Sequence, residues 1–210
     1  MSSDSGSSSV ATSLVVTRSV SSLSDWLRRA AVTGVLALSL TTQAVASVAD
    51  IVKPTGAFVQ AGFGESQTTA YVVGAVWDWR WQKQYAIGTI TGFSDASIGR
   101  WATEADGIKG SAWATQIGLT PVFRLQPALF TQPWFIEIGI GANVILPIYR
   151  SDEKSFSTEF NFGDHFAVGR MLGDRHRQDI ALRIQHFSNG GIKHPNPGEN
   201  FLQLRYTYRH

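Results

Sequence analysis

From residue 54 onward the apolar residues recur at every second position, not at helical spacing. In "YVVGAVWDWRW" one parity is Tyr71, Val73, Ala75, Trp77, Trp79 and Trp81, and the other is Val72, Gly74, Val76, Asp78 and Arg80. "WFIEIGIGANV" sets Trp134, Ile136, Ile138, Ile140, Ala142 and Val144 against Phe135, Glu137, Gly139, Gly141 and Asn143. In "WATQIGLTPVFR" the apolar parity runs from Trp113 through Ile117 and Leu119 to Phe123, against Gln116, Gly118, Thr120 and Arg124. Near the end, Leu202, Leu204, Tyr206 and Tyr208 alternate with Gln203, Arg205, Thr207 and Arg209. A period of two is that of a strand with unlike faces. It predicts strands over 54–64, 67–81, 83–95, 97–105, 111–124, 133–147, 159–170, 178–188 and 201–209. That is one more than eight, so either 83–95 and 97–105 are partly one strand with a loop, or one of the nine is wrong.

A soluble sandwich or a lipocalin-like barrel would turn the apolar parity inward. A transmembrane barrel would turn it outward. Three details favour the membrane. Trp77, Trp79, Trp81, Trp113 and Trp134 stand at the ends of the apolar parities, where an interfacial girdle belongs. The opposite parity is mostly polar or glycine, which suits a narrow lumen. The segments are about ten residues long, the length of a tilted membrane strand. The fold class is therefore read as all-β, an eight-stranded antiparallel outer-membrane barrel.

The chain before this pattern differs. Arg28 and Arg29 precede the apolar run "AAVTGVLALSL", and Ala44-Val45-Ala46 follows. A basic region, a short apolar core and a small-x-small site make a secretory signal peptide, expected over residues 1–46 with a Ser-rich extension. The run is too short to span as a helix. Residues 47–210 are then one barrel domain, at about 20 residues per strand with its connection. The net charge of +2 argues against a nucleic-acid partner, and the absence of cysteine excludes disulfides and thiolate metal sites.

The candidate chemistry is in "RIQHFSNGG", residues 183–191. His186 and Ser188 continue the parity of Ile180, Leu182 and Ile184, so they share a strand face. If that parity faces lipid, the pair faces lipid too, at the strand end. A polar pair there is expensive unless it is functional or interfacial. Both termini of such barrels lie in the periplasm, so the loop 189–200 is expected outside the cell and the pair in the outer leaflet. A hydrolase so placed would act on an acylated lipid arriving sideways. The plainer reading is a wet strand end running into an Asn189-Gly190 turn, and no Gly-x-Ser-x-Gly elbow sharpens the choice.

"RIQHFSNGGIKHPNPGENFLQLRYTYRH", residues 183–210, resembles the C-terminal signature of the PagL-type lipid A 3-O-deacylases. The shared pattern is His-x-Ser-Asn, a Gly-rich turn, Pro-Asn-x-Gly and a final aromatic strand. Residues 47–182 are similar to the family only in length, strand rhythm and leader. The resemblance implies an eight-stranded outer-membrane barrel that hydrolyses the 3-O-linked acyl chain of lipid A, with no metal or cofactor. It implies a Ser-His-Glu triad on the lipid-facing wall, with Ser188 as nucleophile and His186 as general base and then acid. Asn189 matches an asparagine essential in the family, which would help to hold the oxyanion, with the Gly190 N–H. For the third member, ungapped counting puts the family's glutamate at Asn200, and strand parity favours Asn200. Glu199 precedes it within the turn "NPGEN", where alternation need not hold, and Glu199 is the choice, with Asn200 as rival.

The partners so implied are lipopolysaccharide and the outer membrane, with a homodimer possible for a barrel wall. Asp164 and His165 read as structural or interfacial, His194 as solvent-exposed, and Arg124 with Glu137 as a lumen charge pair. Lys193 is a hypothetical contact for a lipid A phosphate; an equal loss on phosphorylated and dephosphorylated lipid A in Lys193→Ala would sink that idea. The chain ends on His210 after Tyr206 and Tyr208, a departure from the terminal aromatic of barrel-assembly signals. A non-catalytic structural or adhesive barrel, and a phospholipase or acyltransferase on the same scaffold, are the rival functions.

Overall fold

The computed structural model of the chain describes residues 53–103 and 113–210. The expected leader, residues 1–46, lies outside them. Eight antiparallel strands close into a barrel: β1 Gly56–Gly64, β2 Thr68–Tyr85, β3 Gly88–Thr103, β4 Trp113–Pro127, β5 Trp134–Leu146, β6 Phe160–Leu172, β7 Gln178–Ser188 and β8 Glu199–Arg209. Each pairs with its neighbour in sequence, and β1 closes on β8 with Gly64 opposite Phe201. Closure leaves no strand edge unpaired, as a membrane-embedded backbone requires.

The segments expected over 83–95 and 97–105 are corrected to one strand, β3, while residues 83–85 extend β2. The sequence hides this because β3 buries Phe93, Asp95 and Trp101 and turns Ser94, Ala96 and Arg100 outward, so neither parity is apolar throughout. The β2–β3 register also slips between Asp78 and Gln82, at the cluster of tryptophans.

The apolar parity faces out. Leu182 and Ile184 are 55% and 58% exposed, whereas Phe187 on the same strand is fully buried. Soluble sandwiches and lipocalin-like barrels would show the reverse. An apolar wall of this extent is stable only against lipid. Trp113 lies at one rim of the wall and Trp81, Trp134 and Tyr208 at the other.

The lumen is filled. Toward the end of the barrel opposite the β7–β8 loop, Arg124 donates to Glu137 Oε1 through Nε at 2.8 Å and Nη2 at 2.6 Å, and to Asp179 at 2.6 Å. Arg205 pairs with Asp95 at 2.7 Å and lies over the Phe58 ring. At the β7–β8 end an aromatic plug takes over. Trp101 packs 4.8 Å from Phe187 and 4.7 Å from Phe201, centroid to centroid. The β5–β6 connection dips in to add Tyr149 and Phe156. Such ring pairs add about 1 kcal/mol each beyond their buried area. Tyr149 shares a 2.6 Å hydrogen bond with Thr68. The plug therefore pins the β5–β6 connection against the same rim on which His186 and Ser188 stand.

Candidate active site

β7 runs over residues 178–188, and its outward face ends in His186 and Ser188, both half-buried. Across the ladder Phe162 and Asp164 of β6 stand opposite Ser188 and His186, and Asn200 of β8 stands opposite His186 on the other side. His186 Nδ1 lies 2.7 Å from Asn200 Oδ1. An amide oxygen only accepts, so Nδ1 carries a proton, and in the neutral imidazole the lone pair is on Nε2. Gly198 presses on the ring. A Cβ built there would fall 2.6 Å from His186 Cε1, and its φ of +68° is itself a glycine conformation. Ser188 Oγ has no hydrogen bond among the described residues. Catalytic hydrogen bonds are often long in an empty site and tighten with substrate.

Asn189 follows directly and is 1% exposed. Its Nδ2 donates to Ser157 Oγ at 3.0 Å and to the Lys193 carbonyl at 2.7 Å, and its Oδ1 accepts from Gly191 N–H at 2.9 Å. The amide is thus spent on holding the turn, in which Gly190 and Gly191 have φ of +64° and +82°. Its backbone N–H donates to Asn196 Oδ1 at 3.0 Å, which leaves the Asn196 –NH₂ for another acceptor.

The structure does not bring Glu199 to His186. The turn ends at Gly198, β8 begins at Glu199, and strict alternation from there sends Glu199 inward and Asn200 outward. Glu199 is fully buried, accepting from Ser66 N–H at 3.0 Å and Ser66 Oγ at 2.9 Å, with Lys154 Nζ at 3.3 Å. A different carboxylate is present on the outside. Glu65, in the β1–β2 turn, accepts from Asn200 Nδ2 at 2.8 Å and from Lys154 Nζ at 2.7 Å. Its backbone N–H donates to the Asn200 carbonyl at 3.1 Å. The Lys154 ammonium, and after it the Asn200 amide, hold the Glu65 carboxyl below its usual range.

The remaining candidates separate by face. Asp164 is outward and exposed; His165 is inward and buried. Lys193 and His194 are exposed on the β7–β8 loop. Sequence reasoning missed Glu65, Lys154, Ser157 and Asn196. The signal for Glu65 was barrel closure: a first strand paired to the last sets the β1–β2 turn beside the start of β8.

A family model described as lipid A 3-O-deacylase (PagL) matches residues 67–209. A lipid A deacylase PagL of Pseudomonas aeruginosa is 31% identical over 173 residues, covering 81% of this chain and 91% of that protein. One of Bordetella bronchiseptica is 41% identical over 105 residues, covering 50% of this chain and 56% of that protein. A crystal structure of the outer membrane enzyme PagL superposes with a TM-score of 0.63 at 27% identity, over 74% of this chain and 99% of that one.

Proposed function

Because the chain belongs to the PagL family of lipid A 3-O-deacylases, we propose that it is an outer-membrane serine esterase that removes the 3-O-linked 3-hydroxyacyl chain of lipid A at the lipid-facing wall of its barrel. The observation that carries this reading is the His186–Asn200 hydrogen bond of 2.7 Å on the outward face that also bears Ser188. It leaves Nε2, the nitrogen not engaged by Asn200, as the base.

The steps follow from that tautomer. Ser188 Oγ attacks the ester carbonyl carbon, and its proton passes to His186 Nε2. The oxyanion that forms needs donors in a water-poor place, where each is worth about a hundredfold in rate. The Gly190 N–H and the free amide of Asn196 are the groups suited to this; the Asn189 N–H orients Asn196, and the Asn189 Oδ1 fixes the turn through the Gly191 N–H. The bond from carbonyl carbon to the sugar 3-oxygen then breaks, and His186 returns the proton to that leaving oxygen. Water, deprotonated by His186, attacks the acyl-serine carbonyl; the bond to Ser188 Oγ breaks, His186 returns the proton to Oγ, and a 3-hydroxy fatty acid is released. Ile184, Leu182 and Leu202 line the wall below the pair, and this exposed apolar surface suits an acyl chain that never leaves the membrane. Asn200, not Glu199, takes the third place in this reading.

Mass spectrometry of lipid A from cells expressing the protein or Ser188→Ala tests it. Loss of one 3-hydroxyacyl chain with the wild type alone is expected. Intact lipid A in both, with the barrel folded in the outer membrane, would overturn it and favour a structural barrel or another lipid ester.

A further inference from the structure

We propose that Glu65 is a positioning residue for this reaction: it acts on His186 through Asn200, setting the histidine tautomer and supplying the negative charge that a neutral asparagine cannot. The proposal rests on the reading of Ser188 and His186 given above.

The direction of the relay is set by its carboxylate. Glu65 is ionised and only accepts hydrogen bonds. The side-chain nitrogen of Asn200 must therefore face it, as found at 2.8 Å. That turns Oδ1 of the same amide toward His186 Nδ1, where it too only accepts. Each link forces the next, and the chain ends with hydrogen on Nδ1 and a lone pair on Nε2. Without Glu65 the amide has no reason to prefer this orientation. Flipped, it would protonate Nε2 and disarm the base.

Charge is the second contribution. When Nε2 takes the serine proton, the ring becomes cationic. Asn200 has no charge to answer it, and Glu65 lies one amide farther on. Glu65 is held as a working part would be: Lys154 takes its second oxygen at 2.7 Å, and its backbone N–H ties to Asn200 at 3.1 Å. The turn that carries it is closed by Gln67 at a φ of +51°. The other ionisable groups around the ring are Asp164 across the β6 ladder, Lys154 behind Glu65, Lys193 and His194 on the following loop, and Glu199 on the lumen side of β8. Of the carboxylates among the described residues, only Glu65 bonds directly to the amide that holds the imidazole.

The test moves the charge while keeping the shape. Glu65→Gln, Asn200→Asp, the double variant and Asp164→Asn are purified as folded barrels, and kcat/KM on lipid A is measured against pH. Glu65→Gln is expected to lose about thirtyfold, with the acid limb of the profile moving to lower pH because the imidazolium is less stabilised. Asn200→Asp alone places two carboxylates in contact and is also impaired. In the double variant the introduced amide can donate to the introduced carboxylate, which faces Nδ1 directly, and activity returns to within about threefold of wild type. Rescue by this transplant is something a merely structural glutamate would not give. Asp164→Asn leaves the profile in place.

The tautomer is read separately by ¹⁵N NMR of His186 without substrate, with Nδ1–H expected in the wild type and a mixture in Glu65→Gln. Glu65→Gln within twofold of wild type with an unmoved profile, or a double variant no better than Glu65→Gln, overturns the proposal. If wild type leaves lipid A intact while the NMR tautomer still depends on Glu65, the proposed function fails and the relay stands. If the NMR signal is the same in both proteins, the relay fails.

Discussion

His186 projects from the outer wall of β7, and His165 from the inner wall of β6, where it stands opposite Gln185 in the ladder. The two rings are neighbours through the wall of one barrel. His165 is the more buried, and neither of its nitrogens has a partner among the described residues. His186 is half-exposed, yet its Nδ1 is bonded to Asn200 and its Cε1 edge is pressed by Gly198. The surrounding charges differ in the same sense. In the lumen, acids and bases close on one another: Arg124 joins Glu137 and Asp179, and Asp179 also meets Arg209. At the rim, Lys154 and Glu65 lead outward to Asn200 and stop at a base with one free nitrogen. Burial and residue type do not mark out the histidine proposed as the base. A directed chain of partners with an open end does.

Substituting the two histidines tests that contrast most severely. His186→Ala is expected to lower deacylation by about ten-thousandfold, the usual scale for removing a triad base. His165→Leu fills the same lumen space with an apolar group and is expected to stay within about twofold, because among the described residues no hydrogen bond links His165 to Ser188. Rates on lipid A, with circular dichroism to show that both barrels fold, decide this. Comparable losses in both would dissolve the distinction between wall and lumen.

The consecutive residues Glu199 and Asn200 repeat the contrast across one strand. Asn200→Ala removes the contact to Nδ1 and is expected to cost about a hundredfold in kcat with little change in stability. Glu199→Ala leaves Ser66 and Lys154 without their buried acceptor and is expected to cost about 3 kcal/mol of folding stability, with kcat within tenfold. Urea unfolding and kcat, measured on each, separate the two. A Glu199→Ala enzyme that is stable but inactive would return Glu199 to the triad.

Much of this was legible before the structure. The 178–188 strand matches β7 residue for residue, because Ile180, Leu182 and Ile184 alternate cleanly into His186 and Ser188. The outward direction of the pair followed from that parity once the apolar face was read as lipid-facing. β8 was expected to start at 201, since "NPGEN" carries turn residues; it starts at 199, and those two residues decide which side chain meets the histidine. Strand parity pointed to Asn200 as the outward residue; the reading of "NPGEN" as a turn gave way to the ladder, in which Glu199 already pairs with Phe187. Glu65 lies 135 positions from Asn200, and no local pattern marks it. Only closure of β1 onto β8 brings the two together, so it belongs to the long-range geometry that periodicity leaves open.

The smallest expected effect concerns how Glu65 is held. Its carboxyl lies below the ordinary value of 4.5, through the hydrogen bond from Lys154 first and that from Asn200 second. A folded-state value below the unfolded one means stabilisation that is complete above the unfolded value and fades as pH falls through the folded one. The unfolding free energies of wild type and Glu65→Gln should therefore differ by a constant amount from pH 8 down to about 5, and converge below about 4.5. The Glu65 side chain is 54% exposed, so solvent screens the pair with Lys154 and the difference should stay under about 1 kcal/mol. Urea midpoints at four pH values would resolve it. A gap that widens on acidification would mean that Glu65 binds its proton more readily in the folded barrel than in the unfolded chain. It would then be losing its charge on folding, and it could not supply the negative charge assigned to it beside Asn200.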